Sequence, residues 1–313
     1  MSRARDDQNR CLVDVPPNLP PCPCCLRADW TPRWTGFVVC RNCGLMTVNQ
    51  GFSPADLRRF YQEDYFQGRE YVDYVADKPA HLHTLRNHLR VVRRHSPPGG
   101  RILEIGCAYG FFLELIQRVY PGSVGIDVFS AGIAHARALG LDAREGDLLN
   151  QRFEHPFDAV CLWDTIEHLP NPGEVLQRSA QLLKPGGHLF LTTGDFGALL
   201  PRWQGLKWRQ IHPPTHLFYF TRKSFQELCG RIGLEVVGFS TVTVHRRLGS
   251  VLKSLAALHR QTPTGRFASF ALRWTPAGFL DWSFPLNLGD TLCLVARKEM
   301  TGPASACSPV PGG

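Results

Sequence analysis

Two apolar rhythms divide the chain. From residue 101 onward, short apolar runs alternate with segments whose apolar positions recur at helical spacing. "RILEIG" (101–106) reads as a buried strand, "FFLELIQRV" (111–119) as a helix, "SVGIDV" (123–128) as a strand, and "AGIAHARALG" (131–140) as a helix stopped at Gly140. A short strand near "DAREGD", a strand at "FDAVCLW", a helix at "PGEVLQRSAQLL" and a strand at "GHLFLTT" follow. Strands separated by helices of this length predict a parallel sheet with helices on both faces. The rhythm then loosens into a helix at "TRKSFQELCGRIG", a strand at "LEVVGFST" and a closing strand at "GDTLCLVARK", with a Leu-, Phe- and Trp-rich insertion at 245–285.

Ahead of residue 101 the pattern differs. Residues 1–20 are polar and Pro-rich and read as a loose lead-in, and 301–313 as a disordered tail. Residues 21–50 place two Cys pairs around the strand-like "TGFVVC". Residues 51–98 read as helical, opening with Ser53 as N-cap and Pro54 at the first helical position, with a second helix at "PAHLHTLRNHLRVVRRH". "SPPGG" (96–100) marks the boundary with a main domain at 99–300.

The 313 residues are 43% hydrophobic and 20% charged, enough for one core plus an appendage. No run approaches the roughly 18 apolar residues of a membrane span, and the N-terminus lacks a signal peptide's apolar centre, so a cytoplasmic location is expected. In that compartment close-set cysteines favour metal over disulfide. The spacing Cys22-x2-Cys25-x14-Cys40-x2-Cys43 sets four thiolates in two knuckles, a tetrahedral S4 site that fits zinc. Cys24, inside the first pair, is a competing ligand, and an iron–sulfur cluster is the less favoured occupant. The net charge of +8 suits an acidic or phosphorylated partner, but the Arg residues are scattered rather than packed into a nucleic-acid-wrapping block.

The stretch "LEIGCAYG" ends a strand in a Gly loop, and Asp127 closes the next strand, where a carboxylate can accept both hydroxyls of a ribose. A dinucleotide fingerprint G-x-G-x-x-G fails at Ala108 and Phe111, and no G-x-x-x-x-G-K-[ST] loop is present.

Five blocks, "LEIGCAYGFFL", "VGIDVFSAGIAHAR", "EGDL", "FDAVCLWDTIEHLPNP" and "LLKPGGHLFLTT", occur in an order and spacing that resembles the class I S-adenosylmethionine-dependent methyltransferase family. The likeness is close over about residues 85–195. It implies an α/β, Rossmann-like fold with a mostly parallel seven-stranded sheet, helices on both faces and a small N-terminal zinc ribbon. It implies S-adenosylmethionine as cofactor, with Glu104, Gly106 and Gly110 at its methionine end, Asp127 on the ribose, and Asp147 on the adenine amino group. Trp163 and Asp164 would line the pocket near the sulfonium. Ala108 departs from the family's usual Gly, as Leu26 does after the first Cys pair.

Such an enzyme must hold the acceptor in line with the methyl group and remove a proton where the acceptor needs it. His168 in "IEHLPNP" and His216 in "IHPPTHLFYF" are the candidate bases, since either can accept a proton near neutral pH; each also has a purely structural reading. Tyr61 and Tyr65 lie in a block resembling the pre-domain helices of zinc-ribbon methyltransferases, where such tyrosines sit over the active site; aromatic core at helical spacing is the alternative. The resemblance favours a small-molecule acceptor such as a nucleotide-linked sugar, glycan or natural-product intermediate. A nucleic-acid or protein acceptor ranks second, since the ribbon carries only Arg27, Arg33 and Arg41 against Asp29. A cofactor-binding scaffold without turnover is the third reading.

Overall fold

The computed structural model describes residues 15–16, 19–49, 74–258 and 261–300. The helix expected at 53–66, with Tyr61 and Tyr65, lies outside the described residues, as do the lead-in before residue 15 and the tail after 300.

The ribbon is built from β1 (Trp30–Trp34), β2 (Phe37–Cys40) and β3 (Met46–Val48). Helix α1 (Lys78–His95) follows, with a proline in its first turn and Arg93, Arg94 and His95 in its last, where cations complement the helix dipole. The alternation predicted from the apolar pattern then appears: β4 (Ile102–Ile105), α2 (Phe111–Ile116), β5 (Val124–Asp127), α3 (Ser130–Ala138), β6 (Ala143–Glu145), β7 (Phe157–Trp163), α4 (Pro172–Leu182) and β8 (Leu183–Gly194). After α5 (Leu199–Gln204) and the two-residue β9 (Phe218–Tyr219) come α6 (Arg222–Arg231) and β10 (Leu234–Thr241). The insertion folds into β11 (Val244–Arg247), α7 (Leu248–Leu258), α8 (Pro263–Trp274), α9 (Ala277–Leu280) and β12 (Ser283–Leu286), and β13 (Thr291–Lys298) closes the chain.

Seven strands form one sheet in the order β10-β13-β8-β7-β4-β5-β6. Only β13 runs against its neighbours, being antiparallel to both β10 and β8. Strands β4, β5 and β7 are adjacent and parallel, and the chain winds in opposite directions on either side of β4. Their carboxyl ends therefore open a crevice where ligands of parallel sheets bind. The central strands are buried on both faces, which is why they read as continuous apolar runs rather than alternating ones.

The ribbon is not a loose appendage. Strand β3 pairs antiparallel with β9, Met46 opposite Tyr219, so its small sheet runs β1-β2-β3-β9 and takes its last strand from the C-terminal half of the chain. Cys22, Cys24, Cys40, Cys43 and Leu45 share one apolar core with Leu176, Phe220, Phe225 and Leu228 on one side of the large sheet. Phe37, Met46 and Val48 pack with Trp208, Leu217 and Tyr219. On the opposite face α1, α2 and α3 bury Val92, Phe112, Leu113, Ile116 and Ile133. No described helix is long and apolar enough to cross a membrane.

Candidate functional site

The Gly loop after β4 is held from below by β5. The Gly106 and Cys107 N–H groups both donate to the Ile126 carbonyl, at 2.8 and 3.1 Å. Asp127 then fixes the loop with its side chain: Oδ2 accepts the Ala108 N–H at 2.7 Å and Oδ1 the Phe129 N–H at 2.9 Å. The Val128 N–H also bonds the carboxylate, and since each oxygen accepts more than one hydrogen bond Asp127 retains capacity for a further donor. Burial nonetheless pushes the Asp127 carboxyl up, against those backbone donors.

Gly106 takes φ of +78°, and a Cβ there would lie 2.4 Å from the Thr165 hydroxyl. The loop after β4 and the loop after β7 therefore touch with no room for a side chain. Ala108 adopts φ of +45°, the left-handed region, which is the physical reason a glycine is common at this position. Here the backbone carries that strain, of the order of 1–2 kcal/mol, beneath the hydrogen bond to Asp127.

Glu104 sits at the floor, 4% exposed, with Oε2 buried and unpartnered among the described residues. Burial and the nearby Asp127 charge raise its carboxyl well above the ordinary range. A buried carboxylate oxygen with no donor is costly unless a ligand supplies one. Asp147 caps the short 3-10 turn at Leu148–Asn150 by accepting the Leu149 N–H at 2.9 Å. Trp163 closes β7 with its ring stacked on His88 at 4.3 Å and edge-on to Phe112 at 5.3 Å. The exposed Asp164, at φ of +47°, is tied by the Thr192 hydroxyl at 2.9 Å.

Beyond Thr165 a single 3-10 turn, Ile166–His168, carries two of the candidate residues to a third from far along the chain. The Leu217 N–H donates to the Glu167 carbonyl at 2.9 Å, and His168 Nδ1 donates to the Thr215 carbonyl at 2.8 Å. His216 is thereby brought against His168, ring centroids 4.6 Å apart, and its ring also meets that of His212 at 3.8 Å. One ligand-type atom from each of Glu167, His168 and His216 lies within 4.8 Å of the others. Burial, reinforced by the His168 and His212 rings, drives the His216 imidazole well below its usual range. Burial and Asp164 push the Glu167 carboxyl up.

The segment that carries His216 is held by the ribbon. Thr47 donates its hydroxyl to the Leu217 carbonyl at 2.9 Å, and Thr221 donates to the Cys43 carbonyl at 2.9 Å. Arg231 grips the first knuckle from α6 through the Pro23 carbonyl at 2.7 Å and the Cys24 carbonyl at 3.2 Å. On the far side Asp290 accepts from the Trp208 indole at 2.7 Å and from Arg209 at 2.9 Å.

Cys22, Cys25, Cys40 and Cys43 converge, their sulfur atoms within 4.8 Å of one another, with Cys22–Cys43 and Cys25–Cys40 each at 3.5 Å. Sulfurs bound at about 2.3 Å to a tetrahedral ion are about 3.8 Å apart, so the set fits zinc. The two knuckles repeat one geometry: the Leu26 N–H donates to the Cys22 carbonyl and the Gly44 N–H to the Cys40 carbonyl, with φ of +61° and +76°. Leu26 thus takes the left-handed turn that Gly44 takes freely, at a conformational cost. Cys24 is fully buried beside Cys22 and Cys43 and is not one of the four converging ligands.

Sequence reasoning placed His168 and His216 as alternatives, but the structure puts them in contact. It missed Glu167 as a third member, Thr215 as the carbonyl that sets the His168 tautomer, and the aromatic stack of Tyr74, Tyr109 and Phe111 beside the Gly loop. The adjacency of Glu167 and His168 in "IEHLPNP" was the local signal for the cluster, and nothing local tied it to "HPPTH".

A family model described as a methyltransferase domain matches residues 71–238. The chain is 34% identical over 155 residues to a ubiquinone biosynthesis O-methyltransferase of Xylella fastidiosa (strain M23), covering 47% of this chain and 61% of that protein. It therefore spans about three fifths of the length of that curated relative. Among solved structures, magnesium protoporphyrin IX methyltransferase from Synechocystis PCC 6803 superposes with a TM-score of 0.50 at 14% identity, covering 79% of this chain and 100% of that one. Geranyl diphosphate C-methyltransferase from Streptomyces coelicolor A3(2) gives 0.50 at 17% identity, covering 79% and 98%. At these identities the structural likeness shows the fold alone.

Proposed function

Because the chain belongs to the class I S-adenosylmethionine-dependent methyltransferase family, we propose that it moves the cofactor's methyl group to a small-molecule acceptor, at a hydroxyl oxygen of a nucleotide-linked sugar, glycan or natural-product intermediate. One observation carries this reading. The Gly106 loop, Asp127 and the Glu167–His168 turn follow the carboxyl ends of three adjacent strands; Thr165, which leads into that turn, packs on Gly106, and His216 lies against His168.

The cofactor supplies a methyl group already activated on a sulfonium; the chain has to bind, orient and exclude water. Glu104, with an orphaned buried oxygen, is suited to an ammonium group, and Asp127 to the two ribose hydroxyls it has lone pairs to accept. Gly106 lets the loop pack on Thr165 and Gly110 lets it pack on Ala136 of α3, which sets the loop's backbone in place for the methionine end; Asp147 takes the adenine amino group, and Trp163 and Asp164 border the methyl. Across from them, His168 is fixed through Nδ1–H to a carbonyl, so Nε2 carries the lone pair that an acceptor hydroxyl needs when it gives up its proton. His216, depressed by burial, is a poor proton acceptor and shapes the wall instead. Tyr65, outside the described residues, is kept as a candidate for covering the acceptor.

The ribbon's part is to position. Its third strand and both knuckles are engaged by β9, Thr221 and Arg231, contacts that favour an internal clip over a grip on nucleic acid or protein. We assign zinc to Cys22, Cys25, Cys40 and Cys43 on that basis, as a structural ion.

Methyl-labelled S-adenosylmethionine incubated with the protein and separate pools of sugar nucleotides, phenolic metabolites, RNA and protein tests the acceptor class. Label is expected in a low-mass, hydroxyl-bearing pool. Label confined to RNA or protein contradicts the proposal, and binding without transfer to any pool favours the scaffold reading.

A further inference from the structure

Glu167, His168 and His216 converge, and each also makes a contact with the surrounding protein. The Thr193 hydroxyl donates to the Glu167 carboxylate, whose Oε2 is buried with no partner among the described residues, in a residue 3% exposed. His168 donates Nδ1–H to the Thr215 carbonyl at 2.8 Å, and His216 hydrogen-bonds the Gln210 backbone. A ring nitrogen that donates to a backbone carbonyl leaves the opposite nitrogen as the lone-pair atom, the second-shell arrangement that orients metal-binding histidines. One ligand-type atom from each residue, a ring nitrogen or a carboxylate oxygen, lies within 4.8 Å of the others.

From this geometry we propose that Glu167, His168 and His216 form a second metal site, distinct from the four-cysteine clip, that binds a divalent transition-metal ion of the zinc, cobalt or iron(II) type. Two imidazoles and one carboxylate match the preference of such ions for mixed nitrogen and oxygen donors. Ligand atoms about 2.1 Å from a tetrahedral ion are about 3.4 Å apart, so the set closes on an ion by drawing in about 1.4 Å or less at its widest pair. Three protein ligands leave at least one position open, as catalytic sites do and structural sites do not.

The inference deepens the proposed function and rests on it for its role, though not for its existence. The open position would hold the acceptor hydroxyl, and coordination lowers that hydroxyl's pKa. Its proton then passes to water. The new oxygen–carbon bond forms as the sulfur–carbon bond breaks, and the sulfur keeps the bonding pair as a neutral thioether. With the ion bound, the His168 lone pair serves as a ligand, and proton loss no longer requires it as a base.

The test is metal loading of the full-length protein with cobalt(II) after exchange, followed by desalting, metal analysis and absorption spectroscopy. Cobalt in the cysteine clip gives intense sulfur-to-metal charge-transfer bands, whereas cobalt on imidazole and carboxylate gives only weak visible bands. We expect two ions per chain, one with each signature. Glu167→Gln, nearly isosteric, and His216→Ala should each weaken the thiolate-free ion at least 100-fold while keeping the thiolate-bound one, whose bands report an intact clip. A wild-type protein that takes up only thiolate-bound cobalt, or variants that keep the thiolate-free ion at wild-type affinity, overturns the proposal. Neither result depends on methyl transfer, so failure of this site and failure of the proposed function are separable.

Discussion

Asp127→Ala is expected to weaken S-adenosylhomocysteine binding by at least about 1.5 kcal/mol, more than tenfold, because the side chain does two jobs. It is proposed to accept the ribose hydroxyls, and it holds the Gly loop through the Ala108 and Phe129 N–H groups. Ala108 sits at positive φ, so without the 2.7 Å bond from its N–H the strained turn loses its main restraint. Isothermal titration calorimetry measures the loss, and unchanged affinity would remove Asp127 from the site. The same experiment reads Glu104. Its pKa is raised by burial and by Asp127. An incoming ammonium group stabilises the ionised form and lowers that pKa, so binding should release a proton at any pH between the raised value and the lowered one. Titrations in two buffers of different ionisation enthalpy should show that release in the wild type and not in Glu104→Gln.

The second large effect lies far from the crevice. Cys40→Ser should abolish the bound zinc and destabilise the chain by at least about 3 kcal/mol, a fall in apparent Tm of roughly 6–12 °C. The clip's cysteines belong to the same core as Phe220, Phe225 and Leu228, so the damage does not stay in the ribbon. Strand β3 holds β9, and Thr47 holds the Leu217 carbonyl, so the His216 segment should lose its anchor. Methyl transfer should then fall on the order of 100-fold, the scale of an ångström's misplacement of a reacting group. Affinity for S-adenosylhomocysteine should change by less than about threefold, because the Gly loop hangs from β4 and β5. Methyl transfer at the wild-type rate in a zinc-free variant would show that the ribbon does not hold the acceptor wall.

What the sequence revealed and what it hid divide along contact range. The strands β4, β5, β7 and β8 were legible because buried parallel strands write continuous apolar runs, and the knuckles because metal ligation demands fixed local spacing. Strand β9 was not legible: two residues carry no periodicity, and Phe218 and Tyr219 become a strand only by pairing with Thr47 and Met46. The meeting of Glu167 with His216 depends likewise on long-range bonds, the Leu217 N–H reaching a carbonyl fifty residues earlier and His168 Nδ1 reaching the Thr215 carbonyl. Leu26 raised a doubt that its backbone answers, since it adopts the left-handed turn that glycine would take. The insertion's apolar content became helices α7 to α9 and the β11–β12 pair, but its exposed Phe267, Phe270 and Trp274 had no local signal separating them from core.

If the proposed function holds, the cofactor crevice and the Glu167–His168–His216 wall face each other across one reaction space. A crystal structure with S-adenosylhomocysteine bound should show ribose hydroxyls on Asp127 and the sulfur directed at the cluster, with only acceptor-sized space between. A sulfur turned away from the cluster, or walled off from it by protein, would show that the two do not share a reaction space.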